Sequence, residues 1–130
     1  MCMWDDSGDG PQFGRSVMRR AAKGHRCAEC GRDIEPGEHY HYVFQVYEGD
    51  AYSWHTCSHC CVAQEWLMRE CGGYVIEAVW EDISEHVREY PVLRFPLGRL
   101  LVGRRHKWMR LGVLLPVPTV PSASVEQYVV

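Results

Sequence analysis

The pattern of hydrophobic positions predicts a β-hairpin in the first half of the chain. From Tyr40 to Tyr47, aromatic and aliphatic residues recur at every second position, which is typical of a strand with one buried face. A polar loop over residues 48–50 would return the chain as a second strand that starts at Ala51. With Tyr47 opposite Ala51, the aromatic residues of both strands share one face. The opposite face would carry His39, His41 and His55.

Two helices are predicted after the hairpin. From Ser58 onward, apolar residues recur at helical spacing, and Gly72-Gly73 ends this segment as helices commonly end. Residues 76–90 repeat the helical pattern, and Pro91 stops the second helix. The polar side of that second helix is an acidic surface. It consists of Glu77, Glu81, Asp82, Glu85 and Glu89.

The remaining segments carry weaker patterns. Residues 1–14 have turn chemistry and predict a flexible lead, while residues 15–24 predict one short helix. A further short helix is predicted over residues 104–111. The prolines from Pro116 onward favour an extended strap or a loose tail over a helix or an inner strand.

Composition suits an ordinary globular protein. The chain has 130 residues, of which 46% are hydrophobic and 24% charged, and this size fits one domain with a modest core. No segment looks like a secretion signal or reaches the roughly 18 apolar residues of a membrane span, so we expect a cytoplasmic protein. In a reducing compartment, the seven cysteines favour metal binding over a disulfide framework.

Charge is unevenly distributed along the chain. The net charge is −3, but residues 13–32 carry six bases and one acid. Residues 33–90 carry twelve acids and two bases, and residues 91–115 carry six bases and no acid. Two basic segments therefore flank an acidic middle.

Two C-x-x-C pairs are the most specific chemical signal in the sequence. Cys27 and Cys30 precede the predicted hairpin, and Cys57 and Cys60 follow it where the first helix begins. Four thiolates suit the tetrahedral coordination of zinc, and a helix N-terminus favours the thiolate form. Such a site has no open position for water or substrate. We therefore predict one structural zinc ion, with a binding energy on the order of 10 kcal/mol.

Alternatives to this ligand set exist. All four cysteines could instead be buried in an apolar core without a metal. Three other residues could replace a ligand: Cys61, His55 and His59. Cys71 lies about 16 Å along the helix from Cys60, which excludes it from the site, and we expect it in the core. We expect Cys2 to be a free surface thiol.

The order of knuckle, hairpin and helix is that of a treble clef. Residues 27–40 followed by residues 55–60 resemble treble-clef zinc fingers, and more closely small zinc-finger proteins encoded by phages and prophages. The resemblance covers residues 25–121 and implies an α+β treble-clef fold and a phage origin. From the patterns along the chain, we expect three parts. They are the flexible lead over residues 1–14, a zinc-binding domain with the second helix over residues 15–92, and a basic extension with a proline-rich tail over residues 93–130.

The basic segments suggest one function, which is docking on nucleic acid or a nucleoprotein. Bases would contact phosphates, and an aromatic residue among them could stack on a nucleobase. The residues concerned are Arg19, Arg20, Arg104, Arg105, Lys107, Trp108 and Arg110. Alternatively, the bases of residues 91–115 could lie against the acidic helix of the same chain, with Trp108 in the core.

Two further hypotheses compete with nucleic-acid docking. A phage inhibitor or adaptor, such as an anti-CRISPR protein, could bind a host defence or regulatory protein through the acidic surface. A metal-dependent nuclease could use the histidine face of the hairpin, but no carboxylate or amide lies where it would complete a catalytic set. We therefore expect a binding module and not an enzyme.

Overall fold

The structure is a computed structural model of the chain and describes residues 2–4 and 13–124. Within these residues it is a mixed α+β fold with three α-helices and antiparallel sheets. The strands are β1 (Phe13–Arg20), β2 (His25–Arg26), β3 (Asp33–Ile34), β4 (His39–Tyr47), β5 (Asp50–Cys57), β6 (Met109–Arg110) and β7 (Val113–Leu114). The helices are α1 (Ser58–Cys71), α2 (Val79–Glu89) and α3 (Arg94–Arg105), and a 3-10 turn spans Pro91–Leu93.

The main sheet has three antiparallel strands in the order β1-β4-β5. The helix predicted over residues 15–24 is wrong, because this segment forms most of β1 and pairs with β4 from Phe13 opposite Val46 to Arg20 opposite His39. A strand at the edge of β4 satisfies the unpaired backbone groups of that strand, and this gain overrides weak local propensity. Residues 13 and 14 of the predicted lead therefore belong to β1. Residues 1 and 5–12 of that prediction lie outside the described part of the chain.

The predicted hairpin exists, but its register differs by one residue. Tyr47 pairs with Asp50, and Glu48-Gly49 alone form the turn. Both turn residues have positive φ, 51° and 84°, as a two-residue type I′ turn requires. A shift of one residue moves every side chain of a strand to the other face. The prediction of a single aromatic face is therefore wrong, and Trp54 lies opposite Val43.

Helices α1 and α2 are confirmed. Gly72 ends α1 in the left-handed conformation with φ 80°, and its N–H donates to the carbonyl of Met68 at 3.0 Å. Pro91 follows the last residues of α2, as predicted. No helix of the described residues is long and apolar enough to cross a membrane.

The segment after α2 differs from the prediction of a helix over residues 104–111. Helix α3 ends at Arg105, and residues 109–114 form the short β6–β7 hairpin. Gly112 at φ 77° and Leu111 at φ 52° make the hairpin turn. The helix of this segment is α3, which begins ten residues earlier than predicted. Leu93, Leu97 and Leu100 recur at helical spacing and are buried, and this apolar stripe places the helix there.

The final described residues form the expected strap. They have no regular secondary structure, but they are fixed to α1 by hydrogen bonds. The carbonyl of Ala123 accepts bonds from Trp66 Nε1 at 2.9 Å and from Arg69 Nη2 at 2.7 Å. Residues 125–130 lie outside the described part.

Candidate metal centre

Four cysteine sulfurs meet in the interior, at the junction of β5 and α1. Cys27, Cys30, Cys57 and Cys60 are at most 8% exposed, and their sulfurs all lie within 4.8 Å of one another. Cys30 Sγ and Cys57 Sγ are 3.9 Å apart. Sulfurs around tetrahedral zinc are separated by about 3.7 Å, given Zn–S bonds of about 2.3 Å. The predicted clustering of these four cysteines is confirmed, and the cluster fits one zinc ion.

Backbone hydrogen bonds hold the first cysteine pair in place. The N–H of Gly31 donates to the carbonyl of Cys27 at 3.0 Å, and Gly31 adopts φ 75°, so residues 27–31 turn back sharply. The N–H of Ala28 donates to the carbonyl of His55 on β5 at 2.8 Å. The N–H of Cys57 donates to Cys27 Sγ at 3.3 Å. Such a bond to sulfur favours a thiolate at Cys27.

The second cysteine pair begins helix α1. Cys57 is the residue before the helix and Cys60 lies in its first turn, where the helix dipole favours negative charge. Without a cation, however, the four thiols cannot all ionise, because their buried negative charges would repel one another. Burial raises the pKa of the Cys60 thiol, while hydrogen bonds from Cys30 and the other thiols lower the pKa of Cys27. A divalent cation would relieve this conflict by binding all four as thiolates.

Arg32 is the nearest buried cation to the cluster. It is 6% exposed and forms a bidentate ion pair with Glu38, at 2.9 and 3.0 Å. Although burial alone would raise it, the pKa of Glu38 is lowered because Arg32 and the N–H of Glu35 bind its carboxylate. Burial alone would lower the pKa of Arg32, but its hydrogen bonds to Glu38 and the attraction of Cys57 raise it. The guanidinium thus offsets part of the net negative charge that zinc with four thiolates would carry.

The three substitute ligands lie outside the cluster. Cys61 is buried, and its sulfur faces the carbonyl of Thr56 at 3.8 Å; burial raises its pKa to about 12. His59 Nε2 contacts the carbonyl of Leu115 at 2.5 Å. His55 stacks on His25, with ring centroids 4.1 Å apart.

The histidine face predicted for the hairpin does not form. Because of the register shift, His55 lies opposite Tyr42, whereas His41 lies opposite Thr56 on the other face of the sheet. His39 is exposed at the start of β4. The structure therefore does not bring together the residues of the nuclease hypothesis.

The basic residues are exposed, but the aromatic residue named with them is not. Arg19, Arg20, Arg104, Arg105, Lys107 and Arg110 are all exposed. Trp108 is only 3% exposed and packs against Trp80, with centroids 5.8 Å apart. The expectation that Trp108 stacks on a nucleobase is wrong, because its ring fills a space above Gly103 in the core. Instead, Phe95 at the start of α3 is 86% exposed.

A basic groove runs between α3 and the β6–β7 hairpin. Its walls combine cationic and apolar side chains from both elements. They include Arg94, Phe95, Arg99, Val102, His106 and Arg110. Among the described residues, no ion pair links the bases of residues 91–115 to the acidic helix. The part of that alternative that places Trp108 in the core is confirmed, since its ring packs on Trp80 of α2.

The acidic surface of α2 is smaller than the sequence suggested. Asp82 is 1% exposed and lies within 3.1 Å of His86 Nδ1, so it faces the interior. Glu77 precedes the helix and accepts a hydrogen bond from Trp54 Nε1 at 2.7 Å. Glu81, Glu85 and Glu89 remain exposed, and Glu85 pairs with Arg88.

Glu29, which lies between the first two cysteines, is a further residue of the site that the sequence pattern did not single out. Its side chain is 6% exposed and its Oε2 accepts a hydrogen bond from the N–H of Glu77 at 2.8 Å. Burial raises the pKa of Glu29 to about 7. A carboxylate inside a C-x-x-C pair is unremarkable in a sequence, and only the fold brings α2 to it.

A second cluster of potential ligands was also overlooked. Cys2 and Cys71 are joined as a disulfide, with their Cα atoms 5.7 Å apart, and His86 contacts both sulfurs. The expectation of a free surface thiol at Cys2 is wrong, because the N-terminal residues pack at the end of α1. In the sequence, the only sign of this cluster is the spacing of Asp82 and His86 by one helical turn, which lets the aspartate orient the histidine.

Comparison of the chain with protein-family models, with curated proteins and with solved structures found no match.

Proposed function

We propose that the protein is a zinc-stabilised binding module of the treble-clef type that docks on single-stranded nucleic acid. The metal part rests on the buried four-sulfur cluster, which offers zinc no open position and so no route to catalysis at the ion. The zinc would hold the knuckle, β5 and α1 together. Function then lies on the surface of the molecule.

The observation that carries the nucleic-acid proposal is the basic groove beside Phe95. Successive phosphates require cations along a groove, and nucleobases stack on exposed aromatic rings. Phe95 lies next to Arg94 in the sequence, and Arg99 and Arg110 line the same groove. A duplex keeps its bases stacked inside, so a ring beside cations favours a single strand.

The bases at the end of α3 extend this surface. Arg104 and Arg105 end the helix, and Lys107 follows with φ 52°, which turns the chain toward β6. Lys107 also lines a neighbouring groove, but there Arg26 and Arg32 are paired with the carboxylates of Asp33 and Glu38. The proposed path for the strand therefore follows α3 and not that groove. Arg19 and Arg20 lie on β1, where the guanidinium of Arg19 lies over the ring of Tyr42, 3.9 Å from its centroid.

Fluorescence anisotropy with labelled single-stranded and double-stranded oligonucleotides tests the proposal. We expect the protein to bind the single strand. The logarithm of the binding affinity should fall linearly with the logarithm of the salt concentration, with a slope of about −0.7 per phosphate contact. Phe95→Ala should cost about 1–3 kcal/mol of binding if one base stacks on the ring. Val92→Ala is the matched control, since Val92 is 53% exposed but does not line the groove.

A triple variant, Arg104→Ala with Arg105→Ala and Lys107→Ala, separates charge from stacking. It should reduce the magnitude of the salt slope by about 2, at about −0.7 per lost contact. Arg88→Ala on the acidic helix should leave it unchanged. Absent or salt-independent binding would reject the proposal and leave the rival, a phage inhibitor bound through Glu81 and Glu85 to a host protein, as the next hypothesis.

A further inference from the structure

The N-terminal residues meet the ends of two helices in a second sulfur cluster. Cys71 is the last residue of α1, His86 lies in the last turn of α2, and Cys2 approaches both. Cys2 Sγ and Cys71 Sγ lie 3.7 and 3.6 Å from His86 Nε2. The three ligand atoms lie within 4.8 Å of one another. This cluster is separate from the first, whose four cysteines surround the start of α1.

The orientation of His86 is determined by Asp82. His86 Nδ1 lies 2.8 Å from the backbone carbonyl of Asp82 and 3.1 Å from its carboxylate. A carbonyl oxygen can only accept, so Nδ1 carries the hydrogen and donates it. The neutral ring then has its lone pair on Nε2, which faces the two sulfurs. Both residues are 1% exposed, so this orientation is held by the core.

This arrangement has the parts of a metal site. Histidine ligands usually donate their second ring N–H to a carboxylate or a carbonyl, which fixes the ring and raises its basicity as a ligand. The backbone carbonyl of Asp82, 2.8 Å from Nδ1, provides this acceptor for His86. Two cysteine sulfurs and one imidazole nitrogen are the donor types that zinc prefers. A disulfide on its own has no need of a buried histidine aimed at its sulfurs.

We propose that Cys2, Cys71 and His86 form a second zinc site when the Cys2–Cys71 disulfide is reduced, with Asp82 orienting His86. The disulfide and the metal-bound form are then two alternative states of one cluster. Both states attach the N-terminal residues to α1 and α2. Water would complete the tetrahedral coordination of the second zinc as its fourth ligand.

Reduction converts the disulfide state into the state that can bind zinc. Two molecules of a thiol reductant reduce the disulfide in a two-electron step, giving two cysteine thiols and one disulfide of the reductant. Zinc then binds both sulfurs as thiolates and releases their two protons. The sulfurs must separate from bonding distance to about 3.7 Å to fit a zinc ion. The N–H of Met3 donates to Asp82 Oδ2 at 3.2 Å, which holds the residue after Cys2 beside the cluster in both states.

Zinc content of the full-length protein tests the proposal. Protein reduced with a phosphine reductant and dialysed against zinc should hold about two zinc ions per chain, whereas protein oxidised with oxidised glutathione should hold about one. Free-thiol titration under both conditions confirms the redox state. One zinc ion in the reduced protein, or two in both states, would overturn the proposal.

Variants assign the second ion to this cluster. Cys2→Ser should lower the reduced protein from about two zinc ions to about one and leave the first site loaded. His86→Gln, which removes the imidazole, should do the same. Cys61→Ser is the matched control, because Cys61 is a buried cysteine outside both clusters, and it should keep both ions. Two ions retained in Cys2→Ser would overturn the proposal even if His86→Gln fails to fold.

Discussion

The carboxylate of Glu29 accepts a hydrogen bond from the backbone N–H of Glu77, at 2.8 Å. Glu29 lies between two proposed zinc ligands, and Glu77 lies just before α2. The bond therefore joins the metal centre to a helix that supplies no ligand to it. This contact therefore links the folding of the cysteine cluster to the position of α2, which carries the buried Trp80.

Replacing Glu29 should weaken that connection. Glu29→Ala leaves the N–H of Glu77 without its acceptor, and we expect the free energy of unfolding to fall by about 1–3 kcal/mol. Glu29→Gln retains an oxygen acceptor and removes a buried negative charge, so its loss should be smaller. Urea unfolding of zinc-saturated protein measures both. The control is Glu81→Ala on the exposed side of α2, and an equal loss in that variant would contradict the assigned role.

Two glycines of α3 offer a matched comparison of packing. A Cβ atom at Gly103 would collide with the indole ring of Trp108, whereas a Cβ at Gly98 meets nothing within 4 Å. Gly103→Ala should therefore cost about 1–3 kcal/mol of stability through overpacking. Gly98→Ala should stabilise by about 0.5–1 kcal/mol, because alanine is the better helix former. Thermal and urea unfolding measure both variants, and similar effects at the two positions would refute the placement of Trp108.

Metal removal should abolish cooperative folding of the region around the four-cysteine cluster. Zinc binding to such a site contributes on the order of 10 kcal/mol, which is comparable to the whole stability of a small domain. We expect a chelator to eliminate the cooperative thermal transition, and Cys57→Ser to do so without a chelator. Circular dichroism with metal analysis follows both changes. A cooperative transition that persists in metal-free protein would show that the fold does not depend on the ion.

The sequence allowed the metal cluster to be predicted because ligand spacing is a local property. Cys27 and Cys30 share one C-x-x-C turn, and Cys57 and Cys60 share another. Only the meeting of these two turns depends on the fold. The cluster of Cys2, Cys71 and His86 is different, since its members come from three separate segments. No local pattern marks such a site, and its only hint was the spacing of Asp82 and His86.

The structure of residues 13–20 and the position of Trp108 could not be predicted for a related reason. Residues 13–20 form a strand because β4 offers an edge to pair with, which is a tertiary effect. Trp108 sits among basic residues in the sequence, which suggested an exposed role, yet Gly103 leaves space for its ring. The chain is rich in charge around both segments, so hydrophobic periodicity was too weak to indicate either outcome.

The register of the β4–β5 hairpin can itself be tested at Glu48. In the two-residue turn, Glu48 adopts φ 51°, a conformation that costs glutamate more than asparagine. Asn-Gly is the favoured pair for this turn, so we expect Glu48→Asn to stabilise the protein by about 0.5–1 kcal/mol. Glu48→Val should destabilise it by about 1–2 kcal/mol, because a β-branched residue resists positive φ. Urea unfolding of zinc-saturated protein distinguishes the two outcomes. Equal stability of the two variants would instead favour the three-residue loop and return Trp54 and Tyr42 to the same face of the sheet.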